Sequence, residues 1–333
     1  MGCFGKAHLE RHIIVLQPCF HRIMLYMVRR VDFSSFYPAV WDKAASLHKH
    51  AFPFSTYAWH KHWQNVFGEE GENYTLLVDN KLIAPFLRIH NTLNFSGGKE
   101  ISDYMDILGP NELKAQAWEK ILEYIEKDGV KNIEFNNIPE SSSSAQFFGG
   151  NEKTQEDTTP LFELPQTWDE YLRMLNKHSR HELRRKLRKF ENEHEGLTIV
   201  ESPQPQKDID ELLRLMKFAE GKQQFLTPQM ETFFRGLPSV FPTSISLLFL
   251  QFDSKNIAAT LSFITDTELL LYNSGADLAQ YPVSGFYLKA NSIRWAIESK
   301  LKVYNFLQGN ERYKYDLGGK DFGVYTVKKS LTL

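Results

Sequence analysis

The sequence predicts a mixed α/β (α+β) protein of two units, each built on a mixed, largely antiparallel sheet flanked by helices. Its 333 residues are too many for one small core and suit two domains of average size. Both halves repeat one order of predicted elements: strand, helices, antiparallel hairpin, polar loop, helix and strand. A stretch rich in Ser, Gly, Glu and Thr separates them, so we place the units at residues 27–160 and 161–333.

The first unit opens with a strand in LYMVRRV and an aromatic-rich helix. A loop broken by proline follows, and the next helix is expected to begin near Ser55 or Thr56, which are both good N-caps. Asp79 and Asn80 join two strands, as expected of a hairpin. Apolar residues at helical spacing predict a helix over residues 111–127, and the strand VKNIEFNNIP comes after it.

The second unit begins with TWDEYLRMLNKHSRHELRRKLRKFENEHEG, whose leucines recur at three- and four-residue spacing and predict one long helix or two. Further helices are expected over residues 208–220, 228–236 and 284–299. The strands are expected at residues 197–201, in the hairpin TSISLLFLQF and NIAATLSFIT, in ELLLYNSG, at residues 302–307 and in a two-stranded tail up to residue 327.

Composition and charge narrow the function classes. Apolar residues make up 42% and charged residues 24% of the chain, as in water-soluble globular proteins. The net charge of −2 gives no overall field that would attract DNA or a membrane, so we expect no DNA partner and leave peripheral membrane contact open.

The N-terminal region indicates the compartment. Cys3 and Cys19 allow neither a disulfide framework nor a cysteine-rich metal site. The apolar run Ile13 to Leu16 is far too short for a signal peptide or a transmembrane helix. We therefore expect a cytoplasmic protein without a transmembrane segment, whose first 26 residues are a disordered or mis-assigned extension.

The most informative stretch has small residues between a strand and a helix. The strand LLLYNSG delivers Asn273, Ser274 and Gly275 at its carboxyl end, and Ser284 and Gly285 begin the next helix. The first turn of a helix has free N–H groups and a positive dipole end, so this arrangement can hold the phosphates of a cofactor. The plainer interpretation is an ordinary helix start with close packing.

The segment NERYKY follows the next strand, and we expect it at the same sheet edge. It contains three candidate catalytic residues. Glu311 is a candidate general base, Tyr313 could protonate a leaving thiolate, and Lys314 could neutralise a phosphate or a developing oxyanion. Asp277 is a second candidate base. The plainer interpretations are a solvated Glu, a ring packed over the sheet end, a solvent-facing Lys and a turn-forming Asp.

In the first unit, Asp103, Tyr104 and Asp106 form a polar group after a Gly-Gly loop. They could bind sugar hydroxyls, orient an amine or only cap the helix that follows. Trp59 indicates either a sugar-stacking surface or a core aromatic residue. The two histidines close to it are two residues apart and cannot share a helix face, so no metal is predicted.

A basic segment covers residues 177–189, with seven Lys or Arg and one acid. Arg184 and Arg188 share one helix face, opposite the leucines. This face could be simply solvated, or it could bind the phosphates of a coenzyme, tRNA or anionic lipid. The sequence does not choose among these ligands.

The segment YNSGADLAQYPVSGFYLKANSIRWAIESKLKVYNFLQGNERYKY resembles the C-terminal signature of the GNAT acyltransferases, in particular the CelD-like acetyltransferases of cellulose and exopolysaccharide biosynthesis. HAFPFSTYAWHKHWQNVFG, SDYMDILG and YLRMLNKHSRHELRRKLRKFE resemble other phrases of that family, so the resemblance covers nearly everything from residue 28 on. The family is similar to the Fem aminoacyltransferases of peptidoglycan, which pair two GNAT-like domains. Asn305 stands where the family usually has Asp, and the pyrophosphate loop of typical GNAT enzymes is absent.

The resemblance implies tandem GNAT-like domains that transfer an acyl group directly from acetyl-CoA or another acyl-CoA to an amine or hydroxyl. The acceptor would be a small molecule, a saccharide or a cell-envelope precursor in the cleft between the domains, which Asp103, Tyr104 and Asp106 would face. Two alternatives remain. One is a Fem-like aminoacyltransferase that uses charged tRNA, bound by the basic helix; the other is a catalytically silent GNAT-fold binding module.

Overall fold

The computed structural model describes residues 28–331 with the exception of residues 49, 51, 150, 151 and 220. The expected N-terminal extension, with both cysteines, lies outside the described residues. The elements of the first half are β1 (Val28–Arg30), α1 (Pro38–Ala45), α2 (Tyr57–Phe67), β2 (Glu72–Asn73), β3 (Leu76–Val78), β4 (Leu82–Ala84), β5 (Phe86–Ile89), β6 (Thr92–Phe95), α3 (Lys114–Lys127), β7 (Asn132–Pro139), α4 (Ser143–Phe147) and β8 (Lys153–Thr158). Those of the second half are β9 (Leu161–Glu163), α5 (Trp168–Met174), α6 (Lys177–Glu193), β10 (Thr198–Glu201), α7 (Pro205–Met216), α8 (Lys222–Phe225), α9 (Pro228–Val240), β11 (Ile245–Phe252), β12 (Lys255–Ile264), β13 (Glu268–Ala276), α10 (Ser284–Glu298), β14 (Val303–Asn305), α11 (Arg312–Asp316) and β15 (Gly323–Ser330).

Two large sheets of the same design carry the fold. Within the described residues, their strand orders are β2-β5-β6-β7-β15-β8 and β10-β11-β12-β13-β14-β9. Each sheet has one parallel pair, β6–β7 or β13–β14, and its other pairs are antiparallel. A long helix makes each parallel crossover, α3 in the first sheet and α10 in the second. The predicted class, mixed α/β with largely antiparallel sheets and flanking helices, is confirmed.

The two parallel pairs separate after a few residues, and this opens the carboxyl ends of their strands. β6 and β7 are paired only up to Asn94 and Glu134, and β13 and β14 only up to Leu270 and Asn305. Both β7 and β13 continue well past those points. Each sheet therefore presents a gap beyond the end of its parallel ladder, at the edge where α/β sheets bind ligands.

The end of the chain differs from the predicted two-stranded tail. Residues 312–316 form the short helix α11, and β15 is the one strand after it in the described part of the chain. β15 pairs with β7 and β8, so residues 323–330, which we assigned to the second unit, lie in the sheet of the first. β9 is in turn the edge strand of the second sheet, next to β14. The boundary near residue 160 otherwise stays a prediction.

The stretch at the start of the second unit, predicted as one long helix or two, forms the two helices α5 and α6. α5 ends before Leu175, which has an extended backbone. The Asn176 side chain then caps α6 by accepting a hydrogen bond from the backbone N–H of Ser179 at 2.8 Å. The leucine spacing continues across this point, but the Asn176 cap starts a new helix.

The two halves share a core, which fixes one sheet relative to the other. Trp59 of α2 contacts Phe233 of α9 and Tyr272 of β13, with ring centroids 5.2 and 5.8 Å apart. The hydroxyl of Tyr272 also donates a hydrogen bond to the backbone carbonyl of Ile101 at 3.0 Å. A search of the described residues finds no helix with the length and apolar character needed to cross a membrane.

Candidate active site

A cleft of about 470 Å³ lies between the two halves, beyond the ends of the parallel ladders. The first half contributes Asn136 and Asn137 of β7 and the loop that carries Asp103. The second half contributes Asn273 of β13 and the turn up to Gly309 that follows β14. The ends of β13 and β14, which we expected at one sheet edge, therefore do lie together. The lining is mainly polar and suits a polar ligand.

Asp103 and Lys222 bring opposite charges into this cleft. Burial raises the pKa of Asp103 to about 6, against the lowering effect of the Lys314 charge and of the Gln308 backbone amide. Lys222, the first residue of α8, donates a hydrogen bond from Nζ to Oδ1 of Asn273 at 3.1 Å, and burial lowers its pKa. A carboxylate with a pKa near neutrality is well matched to accept a proton from a bound nucleophile.

The floor of the cleft is the turn at residues 307–309, and Lys314 holds it. Leu307 and Gly309 have left-handed backbones, with φ of 58° and 113°. Nζ of Lys314 donates to the carbonyls of Leu307, Gln308 and Gly309 at 3.0, 2.6 and 3.1 Å, and it lies 3.0 Å from the Glu311 carboxylate.

These contacts correct the predicted role of Lys314. An ammonium has three N–H donors, so the carbonyls and the carboxylate of the protein already engage all of them. The residue is only 2% exposed and does not face solvent either. Lys314 stabilises the floor turn and is not free to neutralise a phosphate or an oxyanion.

Asn305, at the position where Asp is usual in the resembled family, is fully buried beneath this turn. Its Oδ1 accepts a hydrogen bond from the backbone N–H of Leu307 at 2.9 Å. Its Nδ2 donates to the hydroxyl of Tyr104 at 3.0 Å and so joins the two halves. Both contacts shape the floor of the cleft, and a side chain in this position does not act on a ligand directly.

Lys289, Tyr313 and Glu311 form a second group beside the floor. Lys289 on α10 is buried, and its Nζ lies 4.8 Å from the centroid of the Tyr313 ring. In the described part of the chain its ammonium has no hydrogen bond and no ion pair. Burial lowers the pKa of Lys289 to about 8, although the Glu311 charge opposes this. A buried ammonium that has no direct ion pair favours the binding of an anion.

The predicted catalytic roles of Tyr313 and Glu311 find little support in this group. Burial raises the pKa of Tyr313, so the phenol is a poor acid toward a thiolate, which makes the packed-ring interpretation the better one. Glu311 has a side chain that is 58% exposed and paired with Lys314, and it does not line the cleft. Its use as a base stays a prediction.

The first turn of α10 lies against β13 and is partly closed. A Cβ at Gly285 would lie 3.2 Å from Cβ of Ala276 and 3.7 Å from Nζ of Lys289, so the glycine allows close packing. Ser284 is fully buried, and its hydroxyl donates to the Tyr281 carbonyl at 2.8 Å. Its backbone N–H also donates to the Tyr281 carbonyl, at 3.0 Å, so the predicted phosphate contact of Ser284 finds no support, and Lys289 is the cation at this helix start.

The residues at the end of β13 and in the loop after it pack against other elements or line a different cavity. Asp277 accepts a backbone hydrogen bond of its own turn at 3.1 Å and lines a separate cavity next to Arg214, so its predicted role as a base in the cleft is corrected. Gly275 packs against α7, because a Cβ there would lie 2.3 Å from the backbone N of Met216. Ser274, between them, is half-buried in β13.

Of the polar group in the first half, Asp103 alone lines the cleft. Asp106 is buried in an ion pair with Lys114; burial alone would raise its pKa, but the nearby charge of Lys114 lowers it. Tyr104 and Trp59 are 1% and 0% exposed. None of these three residues lines the cleft, so their predicted substrate contacts find no support there.

Arg184 and Arg188 are exposed on α6 and do not line the cleft. Within the described residues neither guanidinium forms an ion pair, whereas Arg185 beside them is bound by a glutamate. The same helix packs next to the start of α10, where Nζ of Lys186 lies 4.5 Å from the centroid of the Phe286 ring. Lys186 is two residues from both Arg184 and Arg188, so these arginines lie on the side of α6 away from this contact.

The sequence reasoning missed Lys222 and Lys289. Lys289 did give a signal, because it lies on the buried face of α10 with Gly285 and Ile293 four residues away on either side. Lys222 gave none, since it begins a helix of only four residues after Gly221. The position of Lys222 at the cleft depends on how the chain folds and cannot be read from the local sequence.

Comparison with known families gives the class of the second half. Residues 177–315 match the family model described as acetyltransferase (GNAT) domain. This range contains α10, the floor turn and both missed lysines. No curated protein matches the sequence significantly.

Solved structures are similar over most of the chain. A conserved protein of unknown function from Bacteroides thetaiotaomicron has a TM-score of 0.60 at 12% identity and covers 92% of this chain and 100% of its own. FemX has a TM-score of 0.60 at 9% identity, covering 92% and 97%. L-PGS from Bacillus licheniformis has a TM-score of 0.54 at 12% identity, covering 82% and 93%. At these identities the likeness shows the fold alone, which together with the family match is a GNAT acyltransferase fold.

Proposed function

We propose that the protein transfers an acyl group from an acyl-CoA thioester to an amine or hydroxyl of an acceptor bound in the cleft. The acceptor is a small molecule, a saccharide or a cell-envelope precursor, as the resemblance to the CelD-like acetyltransferases implies. The observation that carries the proposal is the convergence of Asp103, Lys222 and the floor turn where both parallel ladders end. The GNAT match over residues 177–315 supports an acyl donor on the second half.

The donor side of the proposal rests on Lys289 and α10. The helix has 15 residues and no acid in its first turn, so its positive end is not neutralised from within the helix. Lys289 adds a buried positive charge next to that end. The phosphates of coenzyme A bind here, and the thioester reaches the cleft through the gap between β13 and β14.

The acceptor side rests on Asp103. The nucleophile attacks the thioester carbonyl, a C–N or C–O bond forms, and the C–S bond breaks. Asp103 takes the proton of the nucleophile, and the thiolate leaves and is protonated by solvent. No covalent enzyme intermediate is needed, because the cleft places acceptor and donor side by side.

Calorimetry with acetyl-CoA tests this proposal directly. Wild-type protein should bind it, and Lys289→Met should bind at least about tenfold more weakly, since a hydrogen bond to a charged group contributes about 1.5–3 kcal/mol. Lys320→Met, an exposed lysine outside the cleft, is the matched control and should bind like the wild type. No binding of acetyl-CoA to the wild type would contradict the choice of donor.

One observation favours a second candidate, a Fem-like transfer from aminoacyl-tRNA. Arg184 and Arg188 present free guanidinium groups in the described structure, on the helix that packs beside α10. Binding of uncharged tRNA that weakens steeply with salt, and is lost in a double Arg→Gln variant at these positions, would favour it over acyl-CoA. If neither acetyl-CoA nor tRNA binds, the remaining alternative is a binding module without catalytic activity.

A further inference from the structure

An apolar cavity of about 340 Å³ lies beside the cleft in the first half of the protein. Trp63 and Phe67 of α2, Leu87 and Ile89 of β5 and other apolar side chains form its walls. Met230 of α9 contributes from the second half. A cavity of this size and lining suits a hydrocarbon group better than a polar one.

The apolar cavity and the cleft are continuous. Lys99, Glu100 and Asn136 line both of them, so one ligand can extend from the one into the other. The loop between them passes close over Trp63: Gly98 has a φ of 79°, and a Cβ there would lie 2.6 Å from Nε1 of Trp63. A glycine at this position keeps the indole at the cavity wall while the loop crosses it.

The charged groups where the apolar cavity joins the cleft favour a cation. Glu70, Glu100 and Glu134 line the apolar cavity together with Lys99, and Glu100 also lines the cleft together with Asp103. Glu134 lies 3.9 Å from Lys99 and 3.6 Å from Lys328, whereas Glu70 and Glu100 form no ion pair within the described residues. Carboxylates without a counter-charge attract an ammonium group and repel a carboxylate.

We propose that the acyl acceptor is a primary amine with a hydrocarbon arm, the arm lying in the apolar cavity and the amine beside Asp103 in the cleft. This inference rests on the proposed acyl transfer and narrows its acceptor. In its neutral form the amine attacks the thioester carbonyl, an amide C–N bond forms and the C–S bond breaks. Asp103 receives the proton from nitrogen, and the thiolate leaves with the electron pair of the C–S bond.

Three small probes test the inference by calorimetry without any acyl donor. n-Octylamine and n-butylamine differ only in the length of the arm, and octylamine should bind at least about tenfold more tightly because more apolar surface is buried. Octanoate has a similar arm with the opposite charge and should bind at least about tenfold more weakly than octylamine. Equal affinities for the two amines, or tighter binding of octanoate, would overturn the inference.

Variants that fill the cavity complete the test. Met230→Trp and Ile89→Phe add bulk from two different walls, and each should weaken octylamine binding at least about tenfold while circular dichroism shows a folded protein. Met174→Trp makes the same exchange at a residue that is 54% exposed and outside the cavity, and it should bind octylamine like the wild type. Unchanged octylamine binding in both filled variants would also overturn the inference.

The outcome for the donor is separable from the outcome for the acceptor. If octylamine binds as expected and acetyl-CoA does not, the choice of donor is wrong and the cavity assignment stands. If acetyl-CoA binds and octylamine does not, the transfer proposal stands and the amine acceptor is wrong.

Discussion

Replacing Lys314 by Met should destabilise the protein through the floor turn. Methionine is similar in length, but the carbonyls of Leu307, Gln308 and Gly309 lose their shared donor. A hydrogen bond to a charged group contributes about 1.5–3 kcal/mol net, and the three bonds share one ammonium, so they do not add in full. The Glu311 carboxylate is 58% exposed, so its ion pair contributes little. We expect the free energy of unfolding to fall by about 3 kcal/mol.

Guanidinium unfolding followed by circular dichroism measures this change, with Lys320→Met as the control on the same segment. Lys320 is exposed, and its backbone N–H keeps its bond to Leu161 whatever the side chain. The control should lie within about 0.5 kcal/mol of the wild type, as surface substitutions usually do. If Lys314→Met also lies within that range, the ammonium does not hold the turn, and the argument for Lys314 as a structural residue is refuted.

Three further predictions follow from the charged groups. In wild-type protein the rate of acyl transfer should fall as the pH drops below about 6. Burial raises the pKa of Asp103 to about 6, and the protonated carboxyl cannot accept a proton from the acceptor. The Asp103→Asn variant should transfer the acyl group slowly at every pH, and its pH–rate profile should lack the fall in rate at low pH. The affinity for coenzyme A should be full below pH 8 and weaken above it, because the pKa of Lys289 in the fold is about 8 and only the ammonium attracts phosphate. Calorimetry across this pH range should show no such decline in Lys289→Met. Asp106→Asn leaves Lys114 buried without its carboxylate and should lower the free energy of unfolding by about 3–5 kcal/mol in denaturant titrations, whereas Glu123→Gln, in an exposed pair, should change it little.

The elements around the cleft could be predicted because local sequence encodes them. The helix expected over residues 284–299 is Ser284–Glu298, and the strand expected at residues 302–307 is Val303–Asn305. The partners of the strands could not be predicted in the same way. β15 has an ordinary strand pattern, and nothing in that pattern says that it returns to the first sheet rather than extending the second.

The side chains at the site were harder to predict than the elements. Asp103 and Asp106 are three residues apart in an irregular loop, where no periodicity tells which one faces the cleft and which one meets Lys114. Trp59 has the spacing of a core residue and of a binding surface alike. Lys314 was misjudged because its partners are the carbonyls of the floor turn, whose direction depends on backbone angles that the sequence leaves open.

The two halves use a buried lysine near the start of the crossover helix in opposite ways. Lys114 begins α3, and Asp106 of the same half neutralises it through an ion pair inside the protein. Lys289 lies in the second turn of α10, and the described residues offer it a ring face but no ion pair and no hydrogen bond. A buried ammonium without a direct ion pair favours an anionic ligand, and we therefore propose that the phosphates of the acyl donor bind here. Under the proposed transfer, the second half would hold the anionic donor and the first half, through Asp103, would receive the acceptor.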